Sequence, residues 1–133
     1  MRIVLDTNVL MAGIFWSGPP FEILKRWKMG VIKLVVSPEI IEEYLRVGEE
    51  LGQDHPGVDV GPILDLVTTS SEICIPSPLP QQVCRDASDD KFIACALSAQ
   101  ADYIVSGDKD LMVVSGYNGM QVVKPKEFLN LMG

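Results

Sequence analysis

Acidic residues in this sequence stand where apolar segments end, and carboxylates in such places can bind cations or move protons. Asp6 follows the apolar run of residues 2–5 directly, and Thr7 and Asn8 come next. Asp108 follows another apolar run near the other end of the chain. An acid that ends a buried strand is poorly solvated, so packing alone does not account for Asp6. Asp6 is therefore the first candidate for a functional residue.

The elements that would position these acids are alternating strands and helices. Strands are predicted at residues 2–5, 31–36, 72–75, 103–105 and 120–123. Helices are predicted at residues 9–16, 21–28, 62–69, 87–101, 109–113 and 125–131, and another begins at Pro38 behind the N-cap Ser37. This alternation predicts an α/β fold with a mostly parallel sheet of about five strands and helices on both faces. The length of 133 residues, without repeats or a linker, predicts a single domain spanning 1–133.

Ligands of open parallel sheets bind at the carboxyl ends of the strands. Asp6 and Asp108 follow the first and fourth strands and lie at this edge. The helix after the second strand begins there as well, with Glu43 in its second turn. The helix that leads into the fourth strand also begins there, and its first turn contains Asp86, Asp89 and Asp90. Acids from distant parts of the chain are thus predicted to converge on one edge.

Each acid also has a purely structural interpretation. Asp86 and Asp108 are good N-caps, and acids in a first helical turn complement the helix dipole. Glu43, beside Glu42, fits a solvated helix face, and Thr7 and Asn8 are common turn and cap residues. Taken together the acids fit a scaffold less well, because two carboxylates about 4 Å apart repel by about 4 kcal/mol at an effective dielectric constant near 20. A compensating cation is therefore expected.

Ligation by oxygen alone suits Mg²⁺ or Mn²⁺, and a carboxylate-bound ion of this kind supports phosphodiester hydrolysis. Asp6 is expected to be a direct ligand, with Asp90 and Asp108 completing the site. Glu43 is expected either to ligate the metal or to position the attacking water. Thr7 and Asn8 are placed to hold carboxylates or substrate by hydrogen bonds.

Several other classes of site are disfavoured. His55 is the only histidine and lies in a Gly/Pro-rich segment, so neither a Ser-His-Asp nor a Cys-His arrangement can be built. Three cysteines without a Cys-x-x-Cys spacing indicate neither a zinc site nor a disulfide framework. No apolar run approaches the roughly 20 residues of a membrane span, and no signal peptide is recognisable. The sequence therefore predicts a soluble, cytoplasmic protein without a membrane partner.

The charge balance limits how the chain can bind nucleic acid. Eighteen acidic residues against 11 basic ones give a net charge of −7, whereas proteins that hold phosphates directly usually carry a basic face. A nucleic-acid substrate would need a bridging metal, a partner or local basic residues. Basic residues that flank the predicted edge, and that are equally consistent with a solvated surface, include Arg46, Arg85, Lys91 and Lys109.

Four stretches together carry a resemblance to a known family: IVLDTNVL, SPEIIEEYLRV, RDASDDKFIACALSAQADYIVSGDKDL and VVKPKEFLNLM. They resemble a PIN domain, and most closely the branch that contains toxin components of bacterial toxin–antitoxin systems. The resemblance spans nearly the whole chain, and the third stretch is the most specific. It implies a three-layer α/β/α sandwich, Mg²⁺- or Mn²⁺-dependent cleavage of single-stranded RNA, and a cognate antitoxin partner.

The resemblance also implies the site residues. The family's acidic quartet maps onto Asp6, Glu43, Asp90 and Asp108, of which Asp6, Asp90 and Asp108 would hold the metal. Glu42 and Asp89 remain alternatives one position away. Supporting residues would be Thr7, Asn8, Asp86, Ser106 and Asp110. Members of the family commonly dimerise, and Phe15 and Trp16 are candidates for a self-association surface.

Three alternatives come from other classes of protein. A receiver domain also has an acidic Mg²⁺ pocket but needs adjacent acids after the first strand, where only Asp6 stands. A haloacid-dehalogenase-like phosphatase begins Asp-x-Asp, and here Asn8 replaces the second acid. The third alternative is a PIN-like module that binds RNA or protein and cleaves nothing. The full set of acids favours the metal-dependent ribonuclease over this module.

Overall fold

A five-stranded sheet forms the middle layer of the molecule in a computed structural model that describes residues 1–133. Its strands are β1 (Arg2–Leu5), β2 (Lys33–Val36), β3 (Glu72–Ile73), β4 (Tyr103–Val105) and β5 (Val122–Val123). They lie in the order β3-β2-β1-β4-β5, and every neighbouring pair is parallel. The predicted parallel sheet of about five strands is therefore confirmed, with β1 at its centre.

Seven helices cover the two faces of this sheet. They are α1 (Thr7–Phe15), α2 (Pro19–Lys28), α3 (Pro38–Asp54), α4 (Gly61–Ser70), α5 (Asp90–Ala99), α6 (Lys109–Val113) and α7 (Pro125–Met132). α1 packs on α2 and α3, and α3 packs on α4, so these four helices lie next to one another. With the right-handed crossovers that parallel strands normally have, they cover one face of the sheet and α5 covers the other. α5 packs on β1, β2 and β4, while α7 packs on α2. The result is the expected three-layer α/β/α sandwich.

The core lies on both sides of the central strand. Ile3, Val4 and Leu5 of β1 are almost fully buried, as expected of a strand covered by helices on both faces. The helical spacing of the apolar residues predicts an inner face for α5, and all five of its residues are buried: Phe92, Ile93, Cys95, Ala96 and Ala99. Because α5 lies directly on β1 and β4, its first turn is held firmly at the edge where those strands end.

Several element boundaries differ from those predicted. α1 begins at Thr7 rather than at residue 9, because the Asp6 carbonyl already accepts hydrogen bonds from the amides of Val9 and Leu10. The helix predicted at 87–101 is a 3₁₀ turn, Ala87–Asp89, followed by α5, which ends at Gln100 in the left-handed conformation, φ 53°. The strands β2, β3 and β5 are two residues shorter than predicted.

The surface near the end of α1 contains an aromatic cluster. Phe15 is partly buried, whereas the Trp16 residue is 53 % exposed. Their rings lie 5.2 and 5.6 Å from the imidazole of His55, which is partly buried at the end of α3 rather than exposed in a loop. None of the helices combines the length and the apolar character needed to cross a bilayer.

Candidate active site

Asp6 lies at the carboxyl edge, the edge of the sheet at which the strands end. It directly follows β1 and is only 5 % exposed. The hydroxyl of Ser106, which follows β4 and is fully buried, donates a hydrogen bond of 2.7 Å to Asp6 Oδ2. The same Ser106 oxygen accepts a hydrogen bond of 2.9 Å from the Asp108 amide. One hydroxyl therefore ties Asp6 to the loop that carries Asp108.

Burial is the main reason why the pKa of Asp6 is raised above its ordinary value. The Ser106 hydrogen bond lowers this pKa, and the negative charges of Asp108 and Glu43 raise it further. Asp6 and Asp108 also line one cleft of about 340 Å³, together with the exposed Asn8. The structure therefore brings together Asp6 and Asp108, the acids that follow the first and fourth strands.

Glu43 reaches the same region from α3. Thr7, which is buried at the start of α1, donates a hydrogen bond from its hydroxyl to Glu43 Oε2. The Lys91 ammonium, in the first turn of α5, lies 2.8 Å from Glu43 Oε1. Glu42, the alternative one position away, is exposed. Of the two neighbouring glutamates, Glu43 is the one that the fold turns toward the other acids.

Tyr44 is a supporting residue that sequence reasoning missed. Its ring lies fully inside the core. Its hydroxyl, however, donates a hydrogen bond to the carbonyl of Leu5, the residue before Asp6. Burial raises the pKa of Tyr44 well above its ordinary value, so this hydroxyl stays protonated as a donor. The signal available in the sequence was a tyrosine, not a phenylalanine, on the buried face of α3.

Asp89 directly precedes α5 and lies beside Asp108, which precedes α6. Ligand oxygens of Asp89, Asp108 and Asp110 all lie within 4.8 Å of one another. Burial and the nearby charges of Asp108 and Asp6 raise the pKa of Asp89 to about 7. A carboxyl group with such a pKa lacks a compensating positive charge. This trio is the group of acids that the structure places closest together.

Asp90 points elsewhere. Its two oxygens accept hydrogen bonds from the backbone amides of Val83 and Cys84, at 3.0 and 2.7 Å. Gln82 closes the same segment by donating from Nε2 to the carbonyls of Cys84 and Arg85. Asp90 therefore holds the segment before α5. The role of Asp90 as a metal ligand stays a prediction, and the structure adds Asp89 as the neighbouring acid that lies close to Asp108 and Asp110.

The remaining predicted acids have defined partners. Asp108 Oδ1 accepts a hydrogen bond of 2.9 Å from the Asp110 amide and so caps α6. Asp110 forms two hydrogen bonds with the guanidinium of Arg85, at 2.9 and 3.2 Å. Asp86 accepts hydrogen bonds from the amide and hydroxyl of Ser88, which lower its pKa and cap the 3₁₀ turn. Asp86 is thus a cap at the border of the acidic group.

The predicted basic residues fall into two groups. Arg46 lies on the exposed face of α3, 4.0 Å from Glu50, and contacts none of the acids at the carboxyl edge. Lys91 is held against Glu43 and its side chain is only 8 % exposed. Arg85 and Lys109 are exposed next to Asp110 and Asp108. Of the four, Arg85 and Lys109 are the ones that are both exposed and next to the acids of this edge.

The acids at this edge fit a divalent cation. All donors are carboxylate oxygens, the ligands that Mg²⁺ and Mn²⁺ prefer, and three of them can converge on one point. Burial first, and then repulsion from neighbouring acids, raise the pKa values of Asp6 and Asp89, and neither carboxylate has a basic side chain as its partner. A bound cation would supply the missing positive charge.

Comparison with known proteins identifies the family to which this chain belongs. The PIN domain family matches residues 2–110, a segment that includes every acid from Asp6 to Asp110. The chain therefore belongs to the PIN domain family. PIN domains are generally nucleases that use divalent metal ions, so this chain falls in a nuclease superfamily. The match therefore favours a nuclease over a receiver domain or a phosphatase.

The chain is also similar to a protein of Methanocaldococcus jannaschii. The uncharacterized protein MJ1680 of Methanocaldococcus jannaschii is 30 % identical to this chain over 146 aligned positions. The alignment covers 97 % of this chain and 90 % of that protein. The similarity therefore extends over nearly the full length of both proteins.

Proposed function

We propose that this chain is a Mg²⁺- or Mn²⁺-dependent endoribonuclease that hydrolyses phosphodiester bonds of single-stranded RNA. The observation that carries the proposal is the group of carboxylates at the carboxyl edge, whose oxygens in Asp89, Asp108 and Asp110 lie within 4.8 Å of one another. Asp6 lines the cleft beside Asp108 and is a fourth acid that a cation would stabilise. Membership of a nuclease superfamily supports the same reaction class.

Asp89 and Asp108 are the proposed central metal ligands, with Asp6 and Asp110 beside them. Asp89 replaces Asp90 in this role, since both Asp90 oxygens are bound to backbone amides. A divalent cation in such a site activates water and offsets charge on the phosphoryl oxygens. Ser106 keeps Asp6 oriented, because its hydroxyl donates to one oxygen of that carboxylate.

Glu43 is proposed to accept a hydrogen bond from the attacking water. Its carboxylate is fixed by Thr7 on one oxygen and by Lys91 on the other, so its orientation is set before substrate binds. Arg85 and Lys109 are exposed at the same edge and are proposed to contact substrate phosphates, with Asn8 bonding to the substrate in the cleft. These local contacts allow a chain of net charge −7 to hold RNA.

A nuclease assay with RNA and DNA side by side tests this function. We expect purified protein to cleave single-stranded RNA with Mn²⁺ or Mg²⁺, and to lose that activity in EDTA and in Asp6→Asn. Asp65→Asn is the matched control, because Asp65 is an exposed acid on α4 with no side-chain partner in the structure. Cleavage that persists in Asp6→Asn or in EDTA would contradict the proposal. An inert protein would favour the non-catalytic PIN-like module.

The proposal extends to a cellular role as the toxin of a toxin–antitoxin pair, acting in the cytoplasm on RNA and restrained by a cognate antitoxin. A homodimer, with the exposed Trp16 in its interface, belongs to the same proposal. We expect induced expression in a bacterial host to slow growth and Asp6→Asn to restore it. Equal growth with both chains would contradict the toxin role while leaving the nuclease assay unaffected.

A further inference from the structure

Lys91 has surroundings that are unusual for a lysine. It stands in the first turn of α5, one residue after Asp90 and two after Asp89, yet its side chain is only 8 % exposed. Its ammonium lies 2.8 Å from Glu43 Oε1 and 5.7 Å from the centre of the Phe92 ring. Removing a lysine charge from water is unfavourable unless a partner compensates it. Glu43 is that partner, since no other acid forms an ion pair with Lys91.

The Glu43 carboxylate has both of its oxygens engaged. Thr7 donates to Oε2 and Lys91 donates to Oε1. The side chain of Glu43 is 19 % exposed, so solvent contributes little screening. A divalent cation that used Glu43 as a direct ligand would have to compete with an ammonium at close range. The neighbouring carboxylates differ, because Asp89 lacks any basic partner.

We propose that Lys91 is a positioning residue whose ammonium takes the place of a second divalent cation at Glu43, so that each chain binds one metal ion. This inference rests on the proposed metal-dependent function and deepens it. Lys91 neutralises Glu43 and leaves the metal to the acids around Asp108. Glu43 is thereby kept as an oriented hydrogen-bond acceptor rather than a metal ligand.

Titration of the full-length chain with Mn²⁺, without RNA, tests this directly by calorimetry and by paramagnetic resonance of the free ion. We expect one tightly bound Mn²⁺ per chain. Two ions of similar affinity in the unmodified protein would overturn the inference while leaving metal-dependent cleavage intact. Absence of any bound ion would overturn both the inference and the proposed metal dependence. The two failures are thus distinguishable by the stoichiometry.

Substitutions at Lys91 separate its charge from its bulk. In Lys91→Met we expect a second Mn²⁺ to bind, because Glu43 loses its cation. Lys91→Arg keeps a positive charge beside Glu43 and is expected to retain one ion. The double variant Lys91→Met/Glu43→Gln is expected to return to one ion. A single ion in Lys91→Met alone would overturn the inference.

Stability gives a second readout in case the first variant folds poorly. Without metal, Lys91→Met leaves the partly buried Glu43 carboxylate without its cation, so we expect a Tm drop on the order of 10 °C. Mn²⁺ should recover much of this loss, whereas the double variant should lose little. Lys28→Met is the matched control, since Lys28 is exposed at the end of α2, at the opposite edge of the sheet. A Lys91→Met Tm that Mn²⁺ leaves unchanged would contradict the proposed role.

Discussion

The acids at the carboxyl edge and their partners form two halves with different surroundings. The buried half consists of Asp6, Thr7, Glu43, Lys91 and Ser106. The open half consists of Arg85, Asp89, Asp108 and Asp110. In the buried half, each carboxylate has a hydroxyl or ammonium donor at hydrogen-bonding distance. In the open half, Asp110 is paired with Arg85, but Asp89 faces other acids and its pKa rises to about 7.

This difference shows which part of the site the protein completes by itself. The buried half is arranged by residues that also belong to the core, since Thr7 and Ser106 are almost fully buried. The open half has excess negative charge that its own side chains leave uncompensated. Substitutions in the open half should therefore act mainly through metal binding. Apart from Asp6, which lines the cleft beside Asp108, substitutions in the buried half should act mainly through orientation and stability.

Within the open half, the largest effect is expected at Asp108, the acid shared by the cleft and the trio. Asp108→Asn should lower cleavage of single-stranded RNA by about 10³-fold or more, because a lost ligand removes several kcal/mol of charge stabilisation in the transition state. Its Mn²⁺ affinity, measured by calorimetry, should fall in parallel. Asp65→Asn is again the control. A variant with full activity would remove Asp108 from the metal site.

The next effect separates the two adjacent aspartates. Asp89→Asn should lower cleavage by about 10²-fold and weaken Mn²⁺ binding, since it lies within the trio. Asp90→Asn should leave Mn²⁺ affinity unchanged but lower stability by about 1–3 kcal/mol, because an amide cannot accept both backbone hydrogen bonds. Calorimetry and thermal unfolding measure the two effects. The reverse pattern would restore Asp90 as the ligand.

A smaller effect is expected in the buried half. Ser106→Ala removes the hydroxyl that links Asp6 to the backbone amide of Asp108. Alanine is smaller than serine and fits the same site. Removing a residue that orients a metal ligand typically lowers metal affinity or activity by about 10–100-fold. We expect the cleavage rate to fall by a factor near the lower end of that range. Ser106→Thr retains the hydroxyl and should recover part of the rate. Equal rates for Ser106→Ala and the unmodified chain would show that Asp6 needs no such support.

The smallest effect concerns pH and the metal-free protein. The folded-state pKa of Asp89 is about 7, above the ordinary value of 3.8, so folding favours its protonated form. This group thus lowers stability progressively as pH rises from about 4 to above 7. In EDTA we expect a Tm several degrees lower at pH 8 than at pH 5, with a weaker dependence in Asp89→Asn. Identical pH profiles for the two proteins would contradict this origin.

The parts of the fold that follow from periodic apolar patterns were predictable. The inner face of α5 and the limits of β1 and β4 match the structure residue by residue, because burial on a helix or strand leaves a regular trace. The ends of the short strands were less predictable, since β3 and β5 consist of two residues each and side-chain patterns need longer runs.

The site was predictable only as far as topology determines it. Parallel strands place Asp6 and Asp108 at one edge whatever their side chains do, and the start of α5 lies there too. The choice between Asp89 and Asp90 depends on the 3₁₀ turn Ala87–Asp89, which shifts the start of α5 and sends Asp90 toward the segment before it. Such a turn leaves no periodic pattern. The Lys91–Glu43 pair likewise joins residues 48 positions apart, without any local signal.

Anomalous scattering from crystals of the full chain soaked in Mn²⁺ tests the central claim most directly. We predict a single Mn²⁺ peak per chain at the carboxyl edge, with carboxylate oxygens of Asp89 and Asp108 as ligands and Lys91 still paired with Glu43. A peak bound by Asp90, or an empty carboxyl edge at saturating Mn²⁺, would contradict the account.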